Sequence, residues 1–384
     1  MSMPKPHRFL WLNGVFDEVT VQNFKSISPA SNYWQSGFLK TLIRLGDQVY
    51  LIGCPAERLW PLGRLILRKK HATVLQGLDG RVIGYINFPK LREATQYWNL
   101  LGAARKYIDG HSQRPDYSVV FSCLHAEWDE TPEIRVAKYL RKHFGVPWIC
   151  IVADGATPPG ADKYVFLPWA NYMSARPSTI RIHLDGGIAE AKGEASLRFS
   201  INASSGSKAL MYMGALTEHG GVLQLARAFT CLAERDVELW ICGRGYNPEL
   251  ERIAIKDPRI KLKGFVDSIE LDRLAQAAYA FINPRPSSFA PNQLNFPSKL
   301  LHYLEYGKPV LSTHTEGLSP SYSEVLCTIP DETESALRCA IIEVLALPAD
   351  TYDKICESIL RFNETHTWTY QVNRFQIWLD ESQR

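Results

Sequence analysis

The chain has 384 residues, 46% of them apolar and 22% charged, a globular composition with apolar side chains enough for two or three buried cores. A formal net charge of only +3 gives no reason to expect a nucleic acid partner. The polar start Met1–His7 and the lack of any run near ~18 uninterrupted apolar residues lead us to expect neither a signal peptide nor a membrane-spanning helix.

Short apolar runs alternate with amphipathic stretches. In the first half they predict strands at Arg8–Leu12, Gln48–Gly53, Val82–Asn87, Tyr117–Ser122 and Trp148–Ala153. Helices are predicted at Asn32–Leu45, Leu91–Ile108 and Pro132–Phe144. Alternating strand and helix reads as a parallel sheet covered on both faces. A small, polar stretch, 191–207, then reads as a linker. Beyond it the pattern restarts, with strands at Leu210–Met213, Glu238–Cys242, Ile260–Lys263, Ala280–Asn283 and Val310–Ser312. The helices between them are Gly220–Glu234, Pro248–Ile255, Ser268–Ala277 and Pro297–Tyr306, and Ala336–Leu379 forms a helical tail. Eight cysteines are scattered without Cys-x-x-Cys or zinc spacing, which suits free thiols in a reducing cytoplasm and gives no metal site. Arg58–His71 mixes basic and apolar residues, a composition able to lie on an anionic membrane surface.

The segment from Ile282 to Val310 carries the most chemistry. A strand ends at Asn283 and enters a Pro-rich loop holding Arg285, and Pro297 opens a helix whose first turn contains Ser298 and Lys299. Free backbone N–H groups at a helix start, together with two cations, suit a diphosphate. Gly307 ends that helix.

These residues resemble the donor-binding region of the GT-B glycosyltransferases, especially bacterial polysaccharide enzymes related to family 4. The likeness rests on Asn283-Pro284-Arg285, Pro297-Ser298-Lys299, Glu305-Tyr306 and Gly307-Lys308-Pro309-Val310. It extends to Tyr212-Met213-Gly214 with Gly220-Gly221, to Leu239–Gly245 with Gly243 and Arg244, and to Ile260–Val266. What the resemblance implies is two Rossmann-like, doubly wound parallel-sheet α/β domains facing a cleft, with C-terminal helices. Residues 1–190 would form the acceptor domain and 208–365 the nucleotide-sugar domain, with 366–384 a helix able to pack back on the first.

The implied reaction moves a sugar from a nucleotide-diphosphate donor to a glycan, a lipid-linked or a small-molecule acceptor, with retention of configuration. The donor is a substrate, so no cofactor is expected. No Asp-x-Asp occurs, which fits a metal-independent site. Donor contacts would come from Gly214, Gly243, Arg244, Pro297, Ser298, Lys299, His302 and Glu305. Arg285 and Lys299 would stabilise the leaving phosphate, and Ser31 and Asn32 would face the acceptor. His125 and Asp154, at strand ends of the first half, are candidate acid–base groups, Asp154 being the base if the reaction inverts. The sequence departs from the family where a ribose-binding glutamate is replaced by His302, where Leu294 stands for its partner, and at Ala215 and His219. Those departures leave open a non-catalytic relative that binds a sugar nucleotide or a partner enzyme.

Overall fold

The computed structural model describes residues 6–124, 130–189 and 208–382. They divide into two compact units, Met1–Gly187 with Trp368–Arg384, and Ile188–Thr367.

The first unit is built on a seven-stranded sheet, all of whose neighbours run parallel. Its strands are β1 (Arg8–Trp11), β2 (Gln48–Gly53), β4 (Asp79–Val82), β6 (Tyr117–Leu124), β7 (Trp148–Gly155), β8 (Lys163–Phe166) and β9 (Arg181–His183), in the order β4-β2-β1-β6-β7-β8-β9. Outside it, β3 (Ile66–Leu67) and β5 (Tyr85–Ile86) pair antiparallel. Helices α1 (Glu18–Asn23), α2 (Pro29–Arg44), α3 (Leu91–Gly110), α4 (Pro132–Phe144) and α5 (Trp169–Ser174) lie between the strands in sequence. Buried Leu100, Leu101, Ala104, Ile134 and Leu140 from α3 and α4 join Val120, Trp148 and Val152 in one core. This is why β7 reads as a continuous apolar run: parallel strands are covered on both faces.

The second unit repeats the plan with six parallel strands: β10 (Lys208–Met213), β11 (Val237–Cys242), β12 (Ile260–Gly264), β13 (Ala280–Asn283), β14 (Val310–Thr313) and β15 (Cys327–Ile329). Their order is β12-β11-β10-β13-β14-β15. Its helices are α6 (Val222–Thr230), α7 (Pro248–Lys256), α8 (Ser268–Ala277), α9 (Lys299–Leu304), α10 (Glu334–Leu345) and α11 (Ala349–Glu364). In both sheets the strand order reverses beside the first strand, β1/β6 and β10/β13. Doubly wound sheets open a ligand crevice at such a point.

Several sequence expectations need correction. Val82–Asn87 is two strands rather than one. Gly84 breaks it where the backbone meets the Leu67 carbonyl, which a Cβ would approach to 2.4 Å. The helix expected at Asn32 starts at Pro29, capped by Ser28, whose Oγ accepts from the Ser31 N–H at 3.3 Å. The helix expected from Gly220 begins at Val222, because Gly221 takes the left-handed conformation just before it. The helix expected from Pro297 is confined to α9. Leu300 N–H donates to the Pro297 carbonyl at 2.9 Å, a tight turn preceding the helix proper. The helical tail is three helices, interrupted at Pro348 and again before α12 (Trp368–Glu381), which belongs to the first unit. There Trp368 and Phe375 pack edge to face against Trp34 and Phe38 of α2, with ring centroids 5.7 and 5.2 Å apart. Among the described residues no helix is long and apolar enough to cross a membrane.

Candidate functional site

In the second unit the chemistry gathers at the carboxyl ends of β10 and β13. Close backbone approach shapes the place. A Cβ on Gly243 would lie 1.6 Å from the Gly214 carbonyl oxygen, and one on Gly221 would lie 1.8 Å from that of Pro284. Gly221 also has φ +69°, so any other residue would be both strained and in collision. These contacts hold the loops after β10, β11 and β13 tightly together.

Tyr303 fixes α9 over this rim. Its hydroxyl donates to the Met213 carbonyl and accepts from the Met213 N–H, both at 2.9 Å, while its ring stacks on Phe281. Lys299, one turn earlier, is thereby laid across Gly214; a Cβ there would meet the amine at 2.1 Å. The Lys299 Nζ donates to the Tyr212 hydroxyl at 3.1 Å and lies 4.7 Å from that ring's centre. Tyr212 in turn donates to the Ala215 carbonyl at 2.8 Å.

Three basic groups, Lys299, Arg285 and His219, act on one another here. Burial, and then the Arg285 charge, push the Lys299 amine down to about 7. Burial also lowers His219, helped by Arg285 and Lys299. Arg285 is held by a hydrogen bond to the Asn295 side-chain oxygen, and Asn292 ties the Pro286 and His219 carbonyls together at 2.6 and 3.3 Å. Like charges brought together under burial store an unfavourable electrostatic energy that a bound anion would relieve.

Residues 207–346 match the family model described as glycosyl transferases group 1. That match lies within the second unit and takes in β10 to β15. The whole chain shares its fold with solved structures at low identity. A glycosyltransferase from Rickettsia africae is 12% identical with TM-score 0.67, and the match covers 98% of each chain. The sucrose-phosphate synthase of Thermosynechococcus elongatus is 15% identical with TM-score 0.65, over 97% of this chain and 98% of that one. Anabaena HepE, solved in complex with UDP and glucose, is 12% identical with TM-score 0.62, over 98% of this chain and all of its own. No curated protein matches the sequence. The fold is GT-B.

The remaining residues singled out in the sequence are spread over both units. Gly243 and Arg244 follow β11, with the Arg244 guanidinium 4.0 Å over the Phe265 ring at the adjacent strand end. Pro297 is buried and Ser298 half-buried at the turn before α9. Ser298 makes no capping bond, so that turn presents no side-chain cap to the helix start. His302 is half-buried, its Nε2 lying 3.4 Å from the Tyr306 hydroxyl, which donates to Asp272 at 2.9 Å. With Tyr306 giving its proton to Asp272, the His302 Nε2–H donates to the Tyr306 hydroxyl. Glu305 is buried, and its carboxylate accepts from the Ala189 N–H at 3.3 Å.

In the first unit, Ser31 and Asp154 come together around Cys123. Ser31 Oγ lies 3.9 Å from the Cys123 thiol, and Cys123 is paired in register with Asp154 across β6 and β7. Burial, with the Asp154 charge beside it, pushes that thiol up to about 12, so Cys123 stays protonated. Asn32 neither caps α2 nor offers its amide outward. It accepts from the Phe16 N–H at 2.8 Å and donates to the Phe16 carbonyl at 3.0 Å, pinning the loop after β1. His125 lies outside the described residues.

Sequence reasoning missed Tyr212 and Tyr303, which orient Lys299, and it treated His219 only as a departure from a lysine. The available signal was a tyrosine inside a short buried strand and another four residues past the lysine. Neither is distinguishable from a core residue before the strands and helix are placed.

Proposed function

We propose that the protein is a glycosyltransferase that moves a sugar from a nucleoside-diphosphate donor to a glycan, lipid-linked or small-molecule acceptor in the cytoplasm, retaining the anomeric configuration and using no metal. The observation that carries this reading is the convergence of Lys299, Arg285 and His219 on the glycine-lined end of β10. HepE, of the same fold, was solved with UDP and glucose, which supports a nucleoside diphosphate as the anion. The eight cysteines are free thiols, in keeping with a reducing compartment.

The chemical demand is negative charge growing on the donor's diphosphate as its bond to the anomeric carbon breaks. Fixed cations at that point stabilise the transition state more than the ground state. Lys299 is suited to respond, because an amine titrating near neutrality becomes fully charged when phosphate charge arrives beside it. In a retaining reaction the new bond forms between acceptor oxygen and anomeric carbon on the face the diphosphate leaves, and the acceptor's proton passes to the departing phosphate. His302 would meet the ribose where the family uses a carboxylate, and Arg244 with Phe265 would border the base.

A second reading is inversion with Asp154 as the base, favoured by its half-buried carboxylate at the carboxyl end of β7. The test is a panel of nucleotide sugars, followed by NMR of the product's anomeric proton. Retention with undiminished turnover in Asp154→Asn supports the first reading. Inversion together with loss of turnover in that variant supports the second, and no binding of any nucleoside diphosphate overturns both.

A further inference from the structure

We infer that the face of the first unit formed by residues 58–92, with Trp98 of α3, docks on an anionic phospholipid bilayer. Three observations carry this, and none involves the donor site. The first is charge. Between Arg58 and Arg92 there are eight Lys or Arg and a single acidic residue, Asp79, although the whole chain has a net charge of only +3. The rest of the protein is therefore net negative, and its positive charge is concentrated in this segment. Among the described residues, Arg68, Lys69, Lys70 and Lys90 make no ion pair; Arg64 is bound to Glu57 at 2.7 Å.

The second observation is apolar exposure at the same place. Leu62 is 80% exposed, Trp98 65% and Ile66 51%, with Trp60, Ile86 and Phe88 also exposed. They are contiguous. Ile66 and Ile86 are partners across the β3–β5 pair, and the Trp60 ring lies 5.8 Å from that of Phe88. A cluster of large apolar side chains left in water marks a surface with a partner.

The third is shape. A groove of about 630 Å³ opens here, with Ile66, Ile86 and Trp98 on its apolar wall and Arg68, Lys69 and Arg81 beside them. It offers cations to a headgroup phosphate and an apolar surface to the chain beneath. The face is firmly held. The buried Asn87 side chain donates to the Arg58 and Arg64 carbonyls, and its N–H donates to that of Leu65 at 2.7 Å, which locks the 58–65 loop onto β5.

Cations ringing aliphatic and tryptophan side chains match an anionic interface. A second copy of the same face would set cation against cation. Nucleic acid would satisfy the cations but leave Leu62, Ile66 and Ile86 with nothing apolar to meet.

The experiment uses the full chain without nucleotide, sedimented with phosphatidylcholine vesicles containing about 30% phosphatidylglycerol, and with phosphatidylcholine alone, at about 0.1 M salt. The expected result is binding to the anionic vesicles only, weakened by salt. Removing two cations in Arg68→Ala/Lys69→Ala should weaken it roughly 30-fold, at about five-fold per cation. Leu62→Asp should weaken it as well, and both variants should keep the wild-type melting temperature. The inference is overturned by failure to bind anionic vesicles or by binding that neither variant changes. It is equally overturned if the same variants abolish self-association or binding to duplex DNA while vesicles are ignored.

Discussion

Lys299→Met separates a binding cation from a structural one. The substitution keeps length and apolar bulk but removes the charge and the bond to Tyr212, which is 3.1 Å long. Tyr212 loses only a donor to its lone pair, since its own proton remains on the Ala215 carbonyl. The amine is pushed from 10.5 down to about 7, so folding disfavours its charged form. At 1.36 kcal/mol per unit, that penalty has a ceiling of roughly 4 kcal/mol at neutral pH, reduced by solvent screening because Lys299 is partly exposed. Methionine removes it. Lys299→Met should therefore melt at or above the wild-type temperature while its turnover falls by about 10²–10³-fold, the loss typical of deleting one transition-state charge partner. Differential scanning fluorimetry and release of nucleoside diphosphate from a sugar donor measure the two quantities. Wild-type turnover would refute a catalytic Lys299. A large drop in melting temperature would refute the claim that its charge is a burden on the fold.

The same amine makes two pH predictions. The unfolded lysine holds its proton to about 10.5 and the folded one only to about 7, so between those values the unfolded chain binds more protons. Wild-type stability should accordingly rise with pH across that window, relative to Lys299→Met, in denaturant titrations. Nucleoside diphosphate should bind more weakly as pH rises through 7, by up to about ten-fold per unit, with proton uptake visible by calorimetry in two buffers and much reduced in Lys299→Met. Gly243→Ala should cost about 1–3 kcal/mol in unfolding free energy, because its methyl would have to displace the Gly214 carbonyl, 1.6 Å from the ideal Cβ position. Tyr303→Phe strands the Met213 N–H and carbonyl in a buried place. It should cost about 1–3 kcal/mol by denaturant titration, with weaker nucleotide binding as α9 loosens.

Legibility differed by kind of feature. The strands that were easiest to see, Gln48–Gly53 and Ala280–Asn283, are flanked by a neighbour on each side and carry mostly apolar, buried residues, and both lie where the pattern placed them. The strands that escaped notice are β3, β8, β9 and β15: short, or sited toward a sheet edge, and too brief to show a period. Asn32 and Glu305 show what spacing along the chain does not reveal. A polar residue near a helix end looks available to a ligand, yet the nearest unsatisfied backbone group claimed each of them, Phe16 in one case and Ala189 in the other.

Apolar periodicity by itself determined that this chain makes two parallel α/β sheets, because a strand covered on both faces must be apolar along its length. The order of its Gly, Pro, Arg and Lys punctuation by itself pointed to the stretch around Lys299. Only the tertiary structure decided which groups act together there. The Lys299 amine falls near neutrality because the fold largely buries it and brings Arg285, fourteen positions away, near it, while Tyr303 anchors the helix that carries it to the backbone of β10. Coulomb and desolvation energies depend on separation and burial in space, and spacing along a chain specifies neither.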